Sequence, residues 1–179
     1  MLKNKKGVTY LELLITVVVV IILSVVSFKI HAYNTEKAVA VDGVNLMRKI
    51  IDAEIAYRLE NRKWCLSFAE LPITLEGELK EGSADIIKTK DFIYSLEESG
   101  TDGRYLSINA VRNYFDKYEI DQSKEDGYSM CLKVDYEYEK NSNNNNNKVK
   151  LYTFTAKSYN VYAILEKAVV NYLINRFSK

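Results

Sequence analysis

The stretch from residue 5 to residue 28 reads KKGVTYLELLITVVVVIILSVVSF and decides how the fold begins. Two lysines and a glycine precede an apolar block, in which Leu13 to Phe28 gives sixteen residues without a charge. This length, extended a little by Leu11, is near the lower limit for a helix that crosses a bilayer. The lysines on its N-terminal side predict that this end of the helix stays in the cytoplasm.

An ordinary secretory signal does not explain this stretch. The small residue Gly7 stands before the apolar block, whereas a conventional cleavage site follows it, and no Ala-x-Ala motif comes after Phe28. The block is therefore predicted to stay in the mature protein. Within it, Glu12 is anomalous, because a carboxylate in an apolar membrane segment is costly unless a partner is supplied.

The run KKGVTYLELL at residues 5–14 resembles the processing signal of type IV pilins and pseudopilins. The resemblance implies that a membrane-embedded aspartyl peptidase cuts after Gly7 and then methylates the new amino terminus on Val8. It also implies that Glu12, the fifth mature residue, acts in subunit assembly. The chain departs from the family pattern at Val8, where phenylalanine is usual. It also lacks the helix-breaking glycine and proline of many major pilin anchors.

A role for Glu12 follows from this setting. Its carboxylate would pair with the Val8 amine of a neighbouring subunit, which removes two buried-charge penalties and fixes the register of the filament. The resemblance implies a structural subunit of a type IV pilus or related pseudopilus. Its partners would be other pilin subunits, prepilin peptidase, the inner-membrane assembly platform and the membrane. The subunit would cross the inner membrane once with a periplasmic head, and then enter a periplasmic or extracellular filament.

Two alternatives stay open at this point. Within the family, the chain could be a minor pilin or a type II secretion pseudopilin. A protein of a different class, a single-pass anchored periplasmic binding protein or enzyme, would have the same topology but leaves Gly7 and Glu12 without an explanation.

A single helix is predicted from Val8 to about Lys63, because only Gly43 interrupts the run of helix-compatible residues. Beyond the membrane the helix is amphipathic. Its apolar stripe comprises Ala40, Val44, Met47, Ile51 and Ile55, widened by Leu46, Ile50, Ala53 and Tyr57. A two-stranded coiled coil would need a heptad seam, which the sequence lacks. The predicted regions are a leader (1–7), a membrane or filament-core segment (8–29), an amphipathic half-helix (30–63) and a globular head (64–179).

The head is predicted to be α+β and pilin-like, with a roughly four-stranded antiparallel sheet packed on the long helix. The predicted strands are 91–96, 104–111, 128–138 and 148–156, with a turn at 99–103 and a hairpin turn at the asparagine run 143–147. Ser158 is predicted to cap a C-terminal helix whose apolar face comprises Val161, Leu165, Ala168, Val169, Tyr172 and Leu173. Trp64, Phe68 and Leu71 are expected to seal the loop after the long helix onto the head.

Two cysteines, Cys65 and Cys131, are the only thiols in the chain. On the exported side a disulfide between them would persist, and we expect such a bridge, because both residues flank elements that must pack together. Two separately buried thiols are the alternative.

The remaining residues favour no chemistry. The net charge of +1 gives no basic surface for nucleic acid. His31 has no acid–nucleophile pair beside it and is interpreted as an interface residue. The acidic segment 121–127 lacks the spacing of an EF-hand and is interpreted as a solvated turn rather than a calcium site. We therefore predict no enzyme activity, no cofactor and no metal.

Overall fold

The computed structural model describes residues 9–100, 103–113, 127–137, 148–158 and 164–177. The predicted cleavage residues Gly7 and Val8, nearly all of the acidic segment 121–127 and the asparagine run 143–147 lie outside them. In chain order the elements are α1 (Tyr10–Asn61), β1 (Glu78–Lys80), β2 (Ser83–Lys88), β3 (Phe92–Ser99), β4 (Tyr105–Arg112), β5 (Tyr128–Glu137), β6 (Lys148–Ser158) and α2 (Ile164–Phe177).

Helix α1 is continuous over 52 residues, which confirms the prediction of one long helix. The chain divides into two compact units, residues 1–38 and residues 39–179, and α1 contributes residues to both. The helix ends where Arg62 adopts a left-handed φ of 61° while its N–H still bonds to the carbonyl of Arg58 at 2.8 Å. A left-handed residue at this position satisfies a terminal carbonyl and stops the helix.

The second unit buries one face of α1. The buried residues are Ala40, Gly43, Val44, Met47, Ile50, Ile51, Ala53 and Glu54. The centre of the predicted stripe is confirmed, but Ile55 is only half-buried and Glu54 is an unpredicted member.

The described strands form one antiparallel sheet in the order β1-β2-β3-β4-β5-β6, so every strand pairs with its neighbour in sequence. The predicted count of about four strands is wrong, because β1 and β2 add a hairpin at one edge. The four predicted strands correspond to β3 to β6. On β4 and β5 alternate side chains are buried, and the inward set is Leu106, Ile108, Ala110, Tyr128, Met130, Leu132 and Val134.

Gly43 sets how closely α1 approaches the sheet. A Cβ atom at this position would lie 2.6 Å from Cε2 of Phe92 and 2.9 Å from Cε of Met130. The Tyr94 hydroxyl, on the same strand as Phe92, lies 3.5 Å from the Gly43 carbonyl oxygen, to which it donates a long hydrogen bond. The glycine therefore admits an aromatic ring where any larger residue would push the helix away.

Helix α2 packs against β6, and its residues Val169, Val170 and Leu173 are buried. At its end the Phe177 ring lies 5.7 Å from the Phe154 ring. The C-terminal helix is thus confirmed. Ser158, the predicted cap, is instead the last residue of β6; the described part of the helix runs from Ile164, and Val161 of the predicted apolar face lies outside the described residues.

Candidate functional site

The apolar half of α1 is exposed on all sides within its own unit. From Tyr10 to Ile30, the exposed fraction of the large apolar side chains runs from 46% at Leu14 to 81% at Tyr10. Among the described residues, α1 is the one helix long and apolar enough to cross a membrane. Exposed apolar patches of this size mark membrane or protein interfaces rather than a water-facing surface.

Two hydroxyls in this segment bond to the helix itself. Thr16 Oγ1 donates to the carbonyl of Leu13 at 2.8 Å, and Ser24 Oγ donates to the carbonyl of Val20 at 2.7 Å. A hydroxyl that bonds to a backbone carbonyl of its own helix needs no outside partner in lipid or against other apolar helices.

Thr9 and Glu12 form a capping box at the start of α1. The Thr9 N–H and hydroxyl donate to Glu12 Oε2 at 2.8 and 3.0 Å, and the Glu12 N–H donates to Thr9 Oγ1 at 3.3 Å. The carboxylate is thereby fixed at the positive end of the helix dipole, beside the backbone of residue 9. The role of Thr9 was not predicted, although the spacing of a threonine and a glutamate three residues later signals it.

A second polar site lies where the chain leaves α1. We call it the helix–loop corner and define it by Glu54, Trp64 and Cys65. The Cys65 N–H donates to Glu54 Oε2 at 2.9 Å, and the Trp64 indole N–H donates to the Gly103 carbonyl at 2.7 Å. The guanidinium carbon of Arg58 lies 4.3 Å from the centre of the Trp64 ring, and Arg58 Nη1 donates to the same carbonyl at 2.7 Å.

Trp64 is buried in this corner, and Phe68 and Leu71 are also buried, as predicted. Burial of Glu54 was not predicted. Its position signals it, since Glu54 follows Ile50 by four residues and Ile51 by three, and so falls on the apolar stripe.

The two cysteines are free thiols, so the expected bridge is absent from the structure. Cys65 lies beside α1, and its thiol donates to the Ser67 carbonyl at 3.3 Å. Cys131 lies on β5, between the inward-facing Met130 and Leu132, so its side chain points to the opposite face of the sheet. A disulfide needs two Cβ atoms that face each other at about 4 Å, which opposite faces do not provide.

His31 is exposed on α1, and the hydroxyl of Thr35 donates to its backbone carbonyl at 3.0 Å. Across the described ranges, no group of three or more histidine, cysteine, aspartate or glutamate residues is placed to hold a metal ion.

No protein-family model, curated protein or solved structure matches this chain.

Proposed function

We propose that this chain is a structural subunit of a type IV pilus or related pseudopilus. In this proposal it is made as a precursor that is cut between Gly7 and Val8. The mature subunit is held in the inner membrane by α1 and assembled from there into a filament. Within this class it is a major subunit, a minor pilin or a type II secretion pseudopilin.

One observation carries the proposal: the exposed apolar half of α1 begins at a fixed carboxylate. In a helix that only anchors a protein, Glu12 would do no more than complete the capping box with Thr9. A helix that packs against copies of itself gains from one acid at a defined height, because the acid specifies the register of neighbours.

The capping box supports this role for Glu12. Both Thr9 donors bond to Oε2, so Oε1 is not used within the box. The carboxylate is held within a few residues of the amine that cleavage would create on Val8. The amine of a neighbouring subunit can approach the other oxygen, and attraction between the charges is strong in an apolar environment.

The proposal is tested by mass spectrometry of the N-terminus of the chain expressed in its own host. We expect a mature chain that begins at Val8 with a methylated amine. Gly7→Leu should leave the precursor uncut, because the residue before the cut must fit a narrow peptidase site. Asn4→Ala, which alters the leader but not the junction, is the matched control and should be cut normally.

An intact N-terminus at Met1 in the membrane fraction would overturn the proposal. It would favour the other class, a single-pass anchored binding protein or enzyme. Normal processing of Gly7→Leu would contradict the assigned junction.

A further inference from the structure

Glu54 is the one charged side chain that is completely buried among the described residues. Its Oε2 accepts the Cys65 N–H, but its Oε1 has no hydrogen-bond partner. No ion pair to Glu54 is found in the described part of the chain. A buried carboxylate with one unsatisfied oxygen and no cation is strongly disfavoured, whereas a neutral carboxylic acid tolerates the same site much better.

The charged groups around the helix–loop corner do not compensate Glu54. From β3, the exposed Glu98 adds a second negative charge that disfavours ionisation. From α1, the Arg58 guanidinium stacks on Trp64 and donates to the Gly103 carbonyl. From the loop, Lys63 and Glu70 act on the Cys65 thiol with opposite signs.

We propose that Glu54 is a proton-dependent clasp: as the neutral acid it holds the segment from Trp64 to Leu71 against α1, and its ionisation loosens this segment. The inference concerns the head alone and does not depend on the filament proposal.

The direction of the pH dependence follows from linkage. Burial, with a contribution from Glu98, raises the pKa of Glu54 from 4.5 to about 7 in the closed corner. In an open corner the carboxyl is in water, and its pKa returns towards its ordinary value. The closed form therefore holds a proton that the open form loses between these two pKa values. The clasp is strongest below the lower value, weakens as the pH rises through the window and stays weak above the upper value.

The expected change in the opening equilibrium of the corner follows from the same two pKa values. Within the window the opening equilibrium rises up to about tenfold for each pH unit, and between pH 5 and pH 8 it rises on the order of fiftyfold.

The corner contains two natural probes of its own opening. Trp64 is the single tryptophan of the chain and is 3% exposed, and Cys65 is 2% exposed. Loosening of the segment would bring the indole and the thiol into water. Tryptophan fluorescence and thiol labelling therefore report the same event by independent means.

The experiment uses the full chain in detergent micelles with Cys131→Ser, so that Cys65 is the single thiol. The rate of Cys65 labelling by an uncharged maleimide is measured from pH 5 to pH 8, together with Trp64 fluorescence. Glu54→Gln is the reference variant, because glutamine keeps the shape and the acceptor for the Cys65 N–H but does not titrate. The ratio of the two labelling rates removes the pH dependence of the thiol itself.

We expect this ratio to rise on the order of fiftyfold over the range, and the fluorescence of the reference variant to stay constant. A constant ratio would overturn the clasp.

A second variant keeps the test valid if Glu54→Gln fails to fold. Glu98→Gln leaves Glu54 intact and removes the neighbouring negative charge, so the pH-dependent rise in Cys65 labelling should become smaller. Glu97→Gln, the next exposed residue on the same strand, is its control and should behave like the parent protein. An equal pH-dependent rise in Cys65 labelling in the Glu98→Gln and Glu97→Gln variants would overturn the proposal that the charge of Glu98 acts on Glu54.

Discussion

Thr9 and Glu12 show how two residues can give an apolar helix a defined beginning. Their hydrogen bonds satisfy backbone donors that the first turn cannot pair internally. The same glutamate is also the residue that we propose for pairing between subunits. The helix cap acts within one chain, whereas the proposed ion pair acts between chains. Substitutions at Thr9 and at Glu12 therefore separate the two roles.

We predict that Glu12→Leu abolishes filaments while membrane insertion and cleavage continue. Loss of the carboxylate would leave the Val8 amine of a neighbour without a partner in an apolar core. This should lower the equilibrium constant for subunit addition by about a hundredfold or more. Thr9→Val is the matched control, since it removes the hydroxyl from the capping box and keeps the charge of Glu12. Electron microscopy of sheared filaments and immunoblots of membranes measure the two outcomes.

Filaments of normal number and length built from Glu12→Leu alone would refute the pairing role. Equal loss of filaments in Thr9→Val would assign the effect to the helix cap.

The contact between α1 and the sheet depends on one position where the helix has no side chain. Gly43→Val would drive a branched side chain into the Phe92 ring and the Met130 methyl group. We predict a loss of about 2 kcal/mol or more in the free energy of unfolding of the head, because overpacking of this kind displaces a ring and a helix. Thermal or denaturant unfolding of the full chain in micelles measures it.

Asn45→Val is the matched control, because Asn45 is exposed two residues further along the same helix. It introduces the same side chain with a similar helix propensity but without the contact. Equal destabilisation by the two substitutions would show that α1 does not depend on close approach at Gly43.

The long elements were predictable from sequence because their periodicity extends over many residues. Helix α1 and the strands from β3 to β6 carry such patterns. The β1–β2 hairpin was not predictable in this way, since β1 has only three residues and two of them, Glu78 and Lys80, have low strand propensity. Its turn at Glu81 and Gly82 depends on the φ of 79° at Gly82.

The strand position of Ser158 and the burial of Glu54 were missed for a different reason. Ser158 has the chemistry of a helix cap, but its pairing with Tyr128 continues β6 to that residue. Tertiary pairing thus overrides the local preference. At Glu54, the residue type favours exposure to solvent and the position on the apolar stripe favours burial, and the packing of the loop after α1 decides between them.

At the scale of the whole molecule, the sheet keeps the two thiols apart, because Cys131 points to the face opposite the buried Met130 and Leu132. We predict that both cysteines are alkylated in denaturant without reductant, so that mass spectrometry finds two adducts per chain. In the native protein both should react slowly, because burial raises the pKa of each thiol. A sample reduced before alkylation is the control and should have the same mass. Adducts that form only after reduction would restore the disulfide.

The strand order has a consequence for how the head folds while the chain is being synthesised. Each strand from β2 onwards finds its partner in the hairpin just completed, so the sheet grows by local steps as the chain emerges. The apolar stripe of α1 has no such local partner. Met130, which lies beside Gly43 in the folded head, is synthesised almost ninety residues later. At synthesis rates of about 5–20 residues per second this delay is on the order of ten seconds. During that time the apolar stripe of α1 is exposed to solvent, and a chaperone that shields α1 would act in this interval.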